Sequence, residues 1–482
     1  MVANMRTTNK YYWLLLNLFC CQVFLQAQPL LPGSSVSTLI PGSAETNPAT
    51  QFIVGNIYIE GNKRTKTYVI ERELPFQRGD SIMLPALVQG FEISRRQLMN
   101  TTLFNDVIVS LKAFRGYYVD IIISVKERWY IFPLPYLKPV DRNLSEWSKQ
   151  GFGFDRLNYG FKFTYYNFTG RNDKLKLWLI TGYTRQIQFQ YEQPYADKNL
   201  KHGYKVGLSY AFNKEINYQT ISNQQHFIDT LSGTKRWYAN LEYTYRPKLR
   251  TIHAFRVGFI HQQVDSQILA LNPKYFNTVR NKIAYPEFSY TLNHNNVDYI
   301  PYPLKGWMGE ISLLKRGINS NVSMWQLGTK VTRSWQLGGK TYFGMQAFGM
   351  IRAPFDQPFV NQRMLGYGDL YVRGLEKYVI DGVAATLLRQ TFRYELFNFY
   401  IPTFIKSRTH NEVPFRLYPK VFFDYGYVYN KYFTNNSLVN RSLYSAGIGV
   451  DLVSFYDFIL RFDYSFNQLG QNGLFLHLKN EF

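Results

Sequence analysis

Cysteine is almost absent from this chain of 482 residues, which has two, Cys20 and Cys21, next to each other. Both lie in an amino-terminal stretch in which two basic residues precede an apolar run and the small residue Ala27, a pattern typical of a secretory signal peptide, here residues 1–27. Phe19 precedes Cys20 where a lipoprotein needs a small residue, so we expect cleavage after Ala27. A mature chain without cysteine excludes disulfides, thiol catalysis and zinc–thiolate sites.

Long apolar runs and catalytic motifs are also missing. Beyond Ala27 there is no run of eighteen apolar residues, so the sequence predicts no transmembrane helix. The seven histidines are dispersed without an H-E-x-x-H spacing, and neither a G-x-S-x-G elbow nor a nucleotide-binding loop is found. The sequence therefore predicts no enzyme, no cofactor and no metal site.

Acidic residues are few, 33 against 55 lysines and arginines, which gives a net charge of +22. The charge becomes +20 when Arg6 and Lys10 leave with the signal peptide. The basic residues are scattered among aromatic segments rather than collected in a block, and the chain is exported, so nucleic acid is not an expected partner. We expect a solvated lumen and loops that face anionic lipid headgroups.

Aromatic residues are abundant: 39 tyrosines, 38 phenylalanines and 8 tryptophans. Over residues 129–482, segments of about ten residues alternate in period two between turns. Leu175 and Leu177, for example, lie on one face and Lys174 and Lys176 on the other. We count about sixteen segments and predict a transmembrane antiparallel β-barrel, closed because lipid leaves no strand edge unpaired. A soluble β-sandwich is the alternative, since its alternating face would cover a core.

A smaller domain precedes this region. Residues 28–50 are rich in Pro, Ser, Gly and Thr and are expected to form a flexible leader. Residues 51–128 predict a β-α-α-β-β unit, in which two helices cover one face of a three-stranded sheet and Gly79-Asp80-Ser81 forms a loop. The chain is thus expected to be mainly β, with one small α+β domain.

Residues 51–128 resemble the polypeptide-transport-associated (POTRA) domain, of which one copy is present. The resemblance rests on five segments: Ile59-Glu60-Gly61-Asn62, Ile70-Glu71-Arg72-Glu73-Leu74, Gly79-Asp80, Thr102-Leu103-Phe104 and Val125-Lys126-Glu127. It implies that the domain binds unfolded or partner proteins. We expect such clients to add a strand along Val107, Val109 and Leu111, because a sheet edge offers main-chain hydrogen bonds to any sequence.

A long connection, residues 355–382, interrupts the alternating segments and contains Val372-Arg373-Gly374-Leu375. It resembles the inward-folded sixth extracellular loop of the BamA/TamA outer-membrane assembly superfamily, whose motif is V-R-G followed by an aromatic. Leu375 departs from that pattern. In the family the arginine reaches an acidic residue of an F-x-D-x-G motif inside the barrel, and this chain has Phe422-Phe423-Asp424-Tyr425-Gly426.

The strand pattern places this carboxylate in the lumen independently of the resemblance. The residues that alternate with it form an apolar row that should face outward: Val421, Phe423, Tyr425, Tyr427 and Tyr429. Asp424 must then face inward, where it can form a bidentate pair with Arg373, while the two motif glycines leave room for the loop to approach the wall. Glu395 is a candidate second carboxylate for the same network.

The first and last strands of the predicted barrel form its seam. Pro133 and Pro135, in the first segment, lack the main-chain donors that a neighbouring strand would use, although they could also mark a turn. The terminal Phe482 resembles the signal by which barrel proteins are recognised for assembly, whereas Asn480 departs from it. In the family the seam is thought to open sideways toward lipid.

The resemblance implies a protein of a Gram-negative outer membrane, with the POTRA domain in the periplasm, that assists assembly, insertion or translocation of other proteins. Its expected partners are outer-membrane lipid or lipopolysaccharide, client proteins and other subunits of an assembly complex. Two alternatives stay open: a secretion pore for a dedicated partner, and a passive channel or structural subunit of a larger complex.

Overall fold

The computed structural model describes residues 51–139, 157–318, 322–402, 412–432, 436–454 and 457–479. The predicted signal peptide and leader, and the terminal residues Asn480 and Phe482, lie outside these ranges.

The amino-terminal domain is a four-stranded sheet covered by two helices. Its elements are β1 (Gln51–Glu60), α1 (Thr67–Glu71), β2 (Ser81–Met83), α2 (Leu84–Asn100), β3 (Phe104–Arg115) and β4 (Tyr118–Glu127). The strands lie in the order β2-β1-β4-β3; β1 and β4 are parallel and the other pairs antiparallel. The sequence predicted three strands, because β2 has only three residues and no alternation to reveal it.

The core of this domain lies between the helices and the sheet. Apolar residues recur in α2 at helical spacing, and Leu87 and Leu98 are buried against the sheet. On β4, Val119, Ile121 and Ile123 are buried on the face that meets the helices. The alternation that predicted the strands therefore also supplies the apolar face of the core.

The rest of the described chain forms one closed antiparallel barrel. Its strands before the long connection are β5 (Ile131–Pro139), β6 (Leu157–Tyr166), β7 (Lys174–Gly182), β8 (Thr184–Gln193), β9 (His202–Ile221), β10 (Gln224–Tyr245), β11 (Thr251–Gln263), β12 (Lys282–Val297), β13 (Gly306–Arg316), β14 (Met324–Gly338) and β15 (Thr341–Ala353). A short helix, α3 (Ser266–Leu271), lies between β11 and β12.

The long connection contains a small antiparallel pair, β16 (Arg363–Leu365) and β17 (Ile380–Asp381). The barrel continues with β18 (Ala384–Tyr394), β19 (Phe397–Pro402), β20 (Glu412–Tyr429), β21 (Ser442–Val453), β22 (Ile459–Asn467) and β23 (Asn472–Lys479). Because β18 and β19 pair with successive parts of β20, they form one interrupted strand. The barrel of the described residues then has sixteen strand positions and closes between β23 and β5.

Side chains alternate across the barrel wall as the sequence predicted. On β20, Val421 is 51% exposed and Phe423 44%, whereas Phe422 and Asp424, which alternate with them, are buried. The outer face is therefore apolar and the inner face polar, the reverse of a soluble β-sandwich. None of the helices in the described residues is long and apolar enough to cross a membrane.

Candidate functional site

The connection between β15 and β18, residues 354–383, folds into the barrel lumen, and we call it the inward loop. Its tip is buried: Val372 and Leu375 are 2% and 3% exposed. They belong to an apolar cluster that the loop shares with the wall, whose wall members include Leu387 and Val428. Leu375, where the family has an aromatic residue, thus still contributes apolar packing.

Arg373 and Asp424 form a buried ion pair between this loop and β20. The Arg373 Nε donates to Asp424 Oδ2 at 3.0 Å, its Nη2 donates to Oδ1, and its main-chain N–H donates to Oδ2 at 3.0 Å. The remaining donors of the guanidinium reach the Thr391 hydroxyl at 3.1 Å and the Gln390 carbonyl at 3.2 Å. The guanidinium lies over the Phe422 ring, 4.0 Å from its centroid. Both charges are therefore shielded from water, and both have hydrogen-bond partners.

The two motif glycines allow the loop to lie against the wall. Gly374 has φ +87°, and a Cβ there would lie 2.9 Å from the Cβ of Ser465 on β22. A Cβ on Gly426 would lie 3.0 Å from the Val372 side chain. A larger residue at Gly374 would push the loop away from β21 and β22, and one at Gly426 would push it away from β20.

A second charge network lies deeper in the lumen, and it does not include Glu395. Lys420 Nζ is 2.6 Å from both Asp451 Oδ1 and Asp463 Oδ1, and all three residues are buried. Glu395 instead accepts a hydrogen bond from the Tyr418 hydroxyl at 3.2 Å. It lies six residues beyond Arg389, the residue opposite Asp424, which is roughly 20 Å along an extended strand.

The turn between β12 and β13, residues 298–305, also folds inward, and we call it the cross-lumen turn. The Tyr302 hydroxyl donates to Asp451 Oδ2 on β21 at 2.8 Å, and its ring lies 5.1 Å from that of Tyr418. Tyr302 is 3% exposed and packs with Leu304 and Ile459 in an apolar cluster. The turn thus bridges strands that are far apart around the barrel.

The amino-terminal domain is held to the barrel by a buried carboxylate. Glu73 is 1% exposed and forms a bidentate pair with Arg246, in the turn between β10 and β11, with Nη2 to Oε2 at 2.7 Å. The Tyr195 hydroxyl donates to Glu73 Oε1 at 2.7 Å, and the pKa of Tyr195 is raised by burial and by this carboxylate. Neighbouring Arg72 donates to the Leu200 and Arg246 carbonyls.

A second ion pair joins the same domain to the opposite side of the barrel. Arg128 is 3.1 Å from Asp457, in the turn between β21 and β22, and the hydroxyl of Tyr299 in the cross-lumen turn donates to Asp457. Burial lowers the pKa of Arg128, but the negative charge of Asp457 more than offsets it and the pKa is raised. Domain, cross-lumen turn and barrel therefore meet at Asp457.

The seam prolines lie within a strand rather than in a turn. Pro133 and Pro135 pair with Phe163 and Phe161 of β6 in an unbroken register. The Tyr166 N–H donates to the Tyr130 carbonyl, so residue 130 directs its main-chain groups toward β6. Successive residues of a strand direct these groups to opposite sides, so Pro133 and Pro135 direct theirs toward β23. At these two positions β5 has no N–H for its neighbour.

The predicted client strand, β3, is an edge of the small sheet. The Val107 N–H donates to the side chain of Asp106 at 3.0 Å rather than to β4. Because the register with β4 is regular from Val107 to Leu111, the main-chain groups of Val109 and Leu111 also point away from the sheet. Their side chains are half-buried against the core.

Most of these contacts were not predicted from the sequence. The Glu73–Arg246 and Arg128–Asp457 pairs join residues 173 and 329 positions apart. A signal for the deeper network was present, since Asp451, Arg461 and Asp463 occupy inward positions of neighbouring alternating strands. Among the described residues, no group of three His, Cys, Asp or Glu could hold a metal ion.

Comparison with family models identifies both parts of the chain. Residues 52–128 match the POTRA family, described as surface antigen variable number repeat, and residues 167–473 match the Omp85 superfamily domain. Since the second match covers more than half of the chain, the protein belongs to the Omp85 superfamily. It is a β-barrel of the outer membrane with a role in protein assembly or secretion there. No curated protein sequence matches the chain.

The chain is similar to several solved structures, one of which has a TM-score above 0.5. BamA from Haemophilus ducreyi lacking POTRA domains 1–3 has 18% identity and a TM-score of 0.51, over 89% of this chain and 83% of that chain. CdiB from Acinetobacter baumannii has 14% identity and a TM-score of 0.48, over 89% and 73% of the two chains. CdiB from Escherichia coli has 11% identity and a TM-score of 0.48, over 99% and 98%. The predicted fold, one POTRA domain before a barrel of about sixteen strands, is confirmed.

Proposed function

We propose that the protein assists the insertion of other proteins into the outer membrane at the seam between β5 and β23, without covalent chemistry. The POTRA domain lies in the periplasm and recruits extended client segments along β3. The client then passes to the barrel wall, where the weakly bonded seam offers strand edges to it.

The observation that carries this proposal is the seam itself. With Pro133 and Pro135 directed toward β23, two main-chain donors are missing from the pairing that closes the barrel. Each absent hydrogen bond lowers the cost of opening by about 1 kcal/mol. Other neighbouring strands, such as β12 and β13 with eleven residue pairs, close without such a pair of prolines.

The filled lumen supports a lateral route over an axial one. The inward loop is fixed to β20 by Arg373, and the cross-lumen turn is fixed to β21 by Tyr302. A secretion pore or a passive channel would have to displace both segments, breaking buried polar contacts on the way. Opening the seam leaves them in place.

The proposed role of the seam can be tested by restoring its missing main-chain N–H donors. The double change Pro133→Val and Pro135→Val adds two N–H groups facing β23, which should slow insertion roughly ten- to thirtyfold. The measurement is the folding rate of an unfolded β-barrel client in proteoliposomes, followed by heat-modifiable mobility. Pro286→Val, the same exchange in β12, is the matched control and should leave the rate unchanged. An unchanged rate in the double variant would contradict insertion at the seam.

The client strand has its own test. Val109→Pro removes an outward donor from an edge strand, where proline is tolerated, and should weaken client crosslinking to the POTRA domain while the barrel still folds. Ile108→Pro is the matched comparison: its N–H faces β4, so this change should unfold the small sheet. If Val109→Pro is crosslinked to clients as strongly as the wild type, clients do not bind along the β3 edge.

The partners follow from the same proposal. Client proteins meet β3, outer-membrane lipid or lipopolysaccharide surrounds the apolar wall, and other assembly subunits bind the periplasmic side. Co-purification of native partners under mild detergent is the measurement. Recovery of a single dedicated secreted protein, with no assembly subunits, would favour the secretion pore instead.

A further inference from the structure

The inward loop contacts β23, the last strand of the barrel, near both of its ends. Just before the first residue of β23, Gln471 accepts a hydrogen bond from the Tyr378 hydroxyl at 3.0 Å. Near the last residue of the strand, His477 Nε2 lies 3.1 Å from Glu376 Oε1. Gln471 and His477 are six residues apart, which is about 20 Å along an extended strand. The loop therefore holds β23 from inside over most of its length.

Both ring nitrogens of His477 have partners on the inward loop. His477 faces the lumen, opposite Arg461 of β22. Its ring stacks on that of Tyr371 with centroids 5.3 Å apart, and the Tyr371 hydroxyl lies 3.3 Å from Nδ1. The tautomer that satisfies both contacts has its proton on Nε2, which donates to Glu376, while Nδ1 accepts from Tyr371. His477 thus joins the strand to two residues of the loop.

Glu376 depends on His477 for its hydrogen bond. In the part of the chain that the structure describes, no other side chain donates to its carboxylate, and Oε2 is buried without a partner. Only 13% of the Glu376 side chain is exposed. If β23 moved away from the loop, the carboxylate would lose its contact with His477 and stay buried. Leaving a buried carboxylate without a donor costs free energy, so this contact opposes displacement of β23.

The same part of the loop is fixed on its other side to β18 and β20. The Arg389 guanidinium donates to the Tyr371 carbonyl and lies over the Tyr371 ring, 4.8 Å from its centroid. Two residues further along the loop, Arg373 is paired with Asp424 of β20. Residues 371–376 therefore connect β20 to β23, three strand positions away around the barrel. A displacement of the loop at one of these strands changes its contacts at the other.

The seam edge of β23 gives the strand less support than its other edge. At the seam β23 meets β5, in which Pro133 and Pro135 have no main-chain N–H to donate. At its other edge β23 is paired with β22 over eight residue pairs. The position of β23 therefore depends mainly on β22 and on the inward loop.

We propose that Glu376 and His477, which we call the latch, hold β23 in position when the seam opens. A client strand that reaches the seam then meets an ordered edge, whose main-chain groups are already aligned for pairing. Both are positioning residues, because they act through β23 and contact no client. The effect on insertion rests on the proposed function of the seam, whereas the contact between loop and strand does not.

The test measures the order of β23 directly, by hydrogen exchange of residues 472–479 in purified full-length protein in detergent micelles. Glu376→Ala and His477→Ala should each accelerate exchange there about tenfold, because each removes the hydrogen bond between the loop carboxylate and the strand. The double variant should exchange no faster than the faster single variant. Glu376→Gln keeps an acceptor for Nε2 and should stay within about threefold of the wild type. Exchange of β21 should not change in any of these variants.

Two variants serve as matched controls. His253→Ala removes a histidine of β11 whose Nδ1 lies 2.9 Å from the Tyr290 hydroxyl, and Asp369→Ala removes an exposed carboxylate of the inward loop. Both should leave the exchange of β23 unchanged. Equal exchange in the wild type and both latch variants, or additive effects in the double variant, would overturn the proposal. If His477→Ala fails to show heat-modifiable mobility, Glu376→Ala carries the test with Glu376→Gln as its comparison.

Insertion rates separate the latch from the proposed function. Glu376→Ala should slow the insertion of an unfolded β-barrel client into proteoliposomes about threefold, because the strand edge offered to the client is less ordered. Faster exchange of β23 with an unchanged insertion rate would contradict insertion at the seam and leave the latch. Unchanged exchange would overturn the latch whatever the insertion rate.

Discussion

Two buried arginine–carboxylate pairs, Arg373–Asp424 in the lumen and Arg246–Glu73 at the POTRA contact, differ in what surrounds them. Near Asp424 a second cation, Arg389, lies 3.9 Å away, and four further charged groups of the deeper network follow around Asp451. Glu73 has one cation and a tyrosine hydroxyl. The lumen pair lies beside a second charge network, whereas the POTRA pair is one of two described ion pairs that join the domain to the barrel. The first fixes a loop inside the barrel, and the second contributes to holding the POTRA domain on the barrel.

The largest effect is expected from breaking the lumen pair. Asp424→Ala leaves Arg373 buried and Arg389 without its carboxylate, so the loop should loosen at a cost of about 3–5 kcal/mol. Arg373→Ala should cost a similar amount, and the double change less than the sum of the two. The measurement is the midpoint of heat-modifiable mobility, combined with proteolysis of the inward loop.

Asp369→Ala provides the control for this cycle, because Asp369 is an exposed carboxylate of the same loop. It should leave the midpoint unchanged. Strict additivity of the two alanine changes would argue against direct coupling between Arg373 and Asp424.

Breaking the Arg246–Glu73 pair should have a smaller and more local effect on stability than breaking the Arg373–Asp424 pair. Glu73→Ala leaves Arg246 15% exposed and able to recover some hydration, so we expect about 3 kcal/mol, confined to the domain contact. Hydrogen exchange in residues 64–73 should rise while the barrel midpoint stays constant. Glu71→Gln, at the last residue of α1 and two residues before Glu73, is the matched control. A fall in the midpoint of heat-modifiable mobility with Glu73→Ala would mean that this pair also stabilises the barrel. The difference between the two ion pairs would then not hold.

A change in the cross-lumen turn tests whether this turn links the lumen network to the POTRA contact. Tyr302→Phe removes the hydroxyl that donates to Asp451 but keeps the ring, and should cost about 2 kcal/mol because the acceptor is charged. The measurement is hydrogen exchange over residues 298–305. Tyr117→Phe, at an exposed turn of the POTRA domain, should have no effect there. Unaltered exchange in Tyr302→Phe would show that the ring alone holds the turn.

The smallest effect is expected at the Arg115–Asp120 pair of the POTRA domain, in which Arg115 is exposed and Asp120 is not. A hydrogen bond from Arg115, and then one from the Asn56 N–H, lower the pKa of Asp120 below its usual 3.8. A depressed pKa stabilises the fold above the unfolded value, and this contribution is lost as pH falls below 3.8 through the folded value. Hydrogen exchange of the β3–β4 hairpin in the full chain should therefore accelerate on acidification. In Asp120→Asn that part of the pH dependence should disappear, and its persistence would assign it to another group.

The sequence predicted features that depend on local repetition. Period-two alternation marked the barrel strands and placed Asp424 inward, because side chains of a strand alternate whatever its neighbours are. The fold class was predicted in this way, the POTRA domain and the superfamily were predicted from the resemblance of their motifs, and all three predictions are confirmed. β2 was missed, since three residues carry no measurable period.

The tertiary structure alone decided which charges meet. Glu395 and Asp424 both have inward parity, but only the register between β18 and β20 shows that they lie far apart along the strand. Likewise, the path of the cross-lumen turn brings Tyr302 to Asp451, and the docking of the POTRA domain brings Glu73 to Arg246. The physical reason is range: alternation is set by neighbouring residues, whereas an ion pair needs two distant parts of the chain to be positioned within a few ångströms.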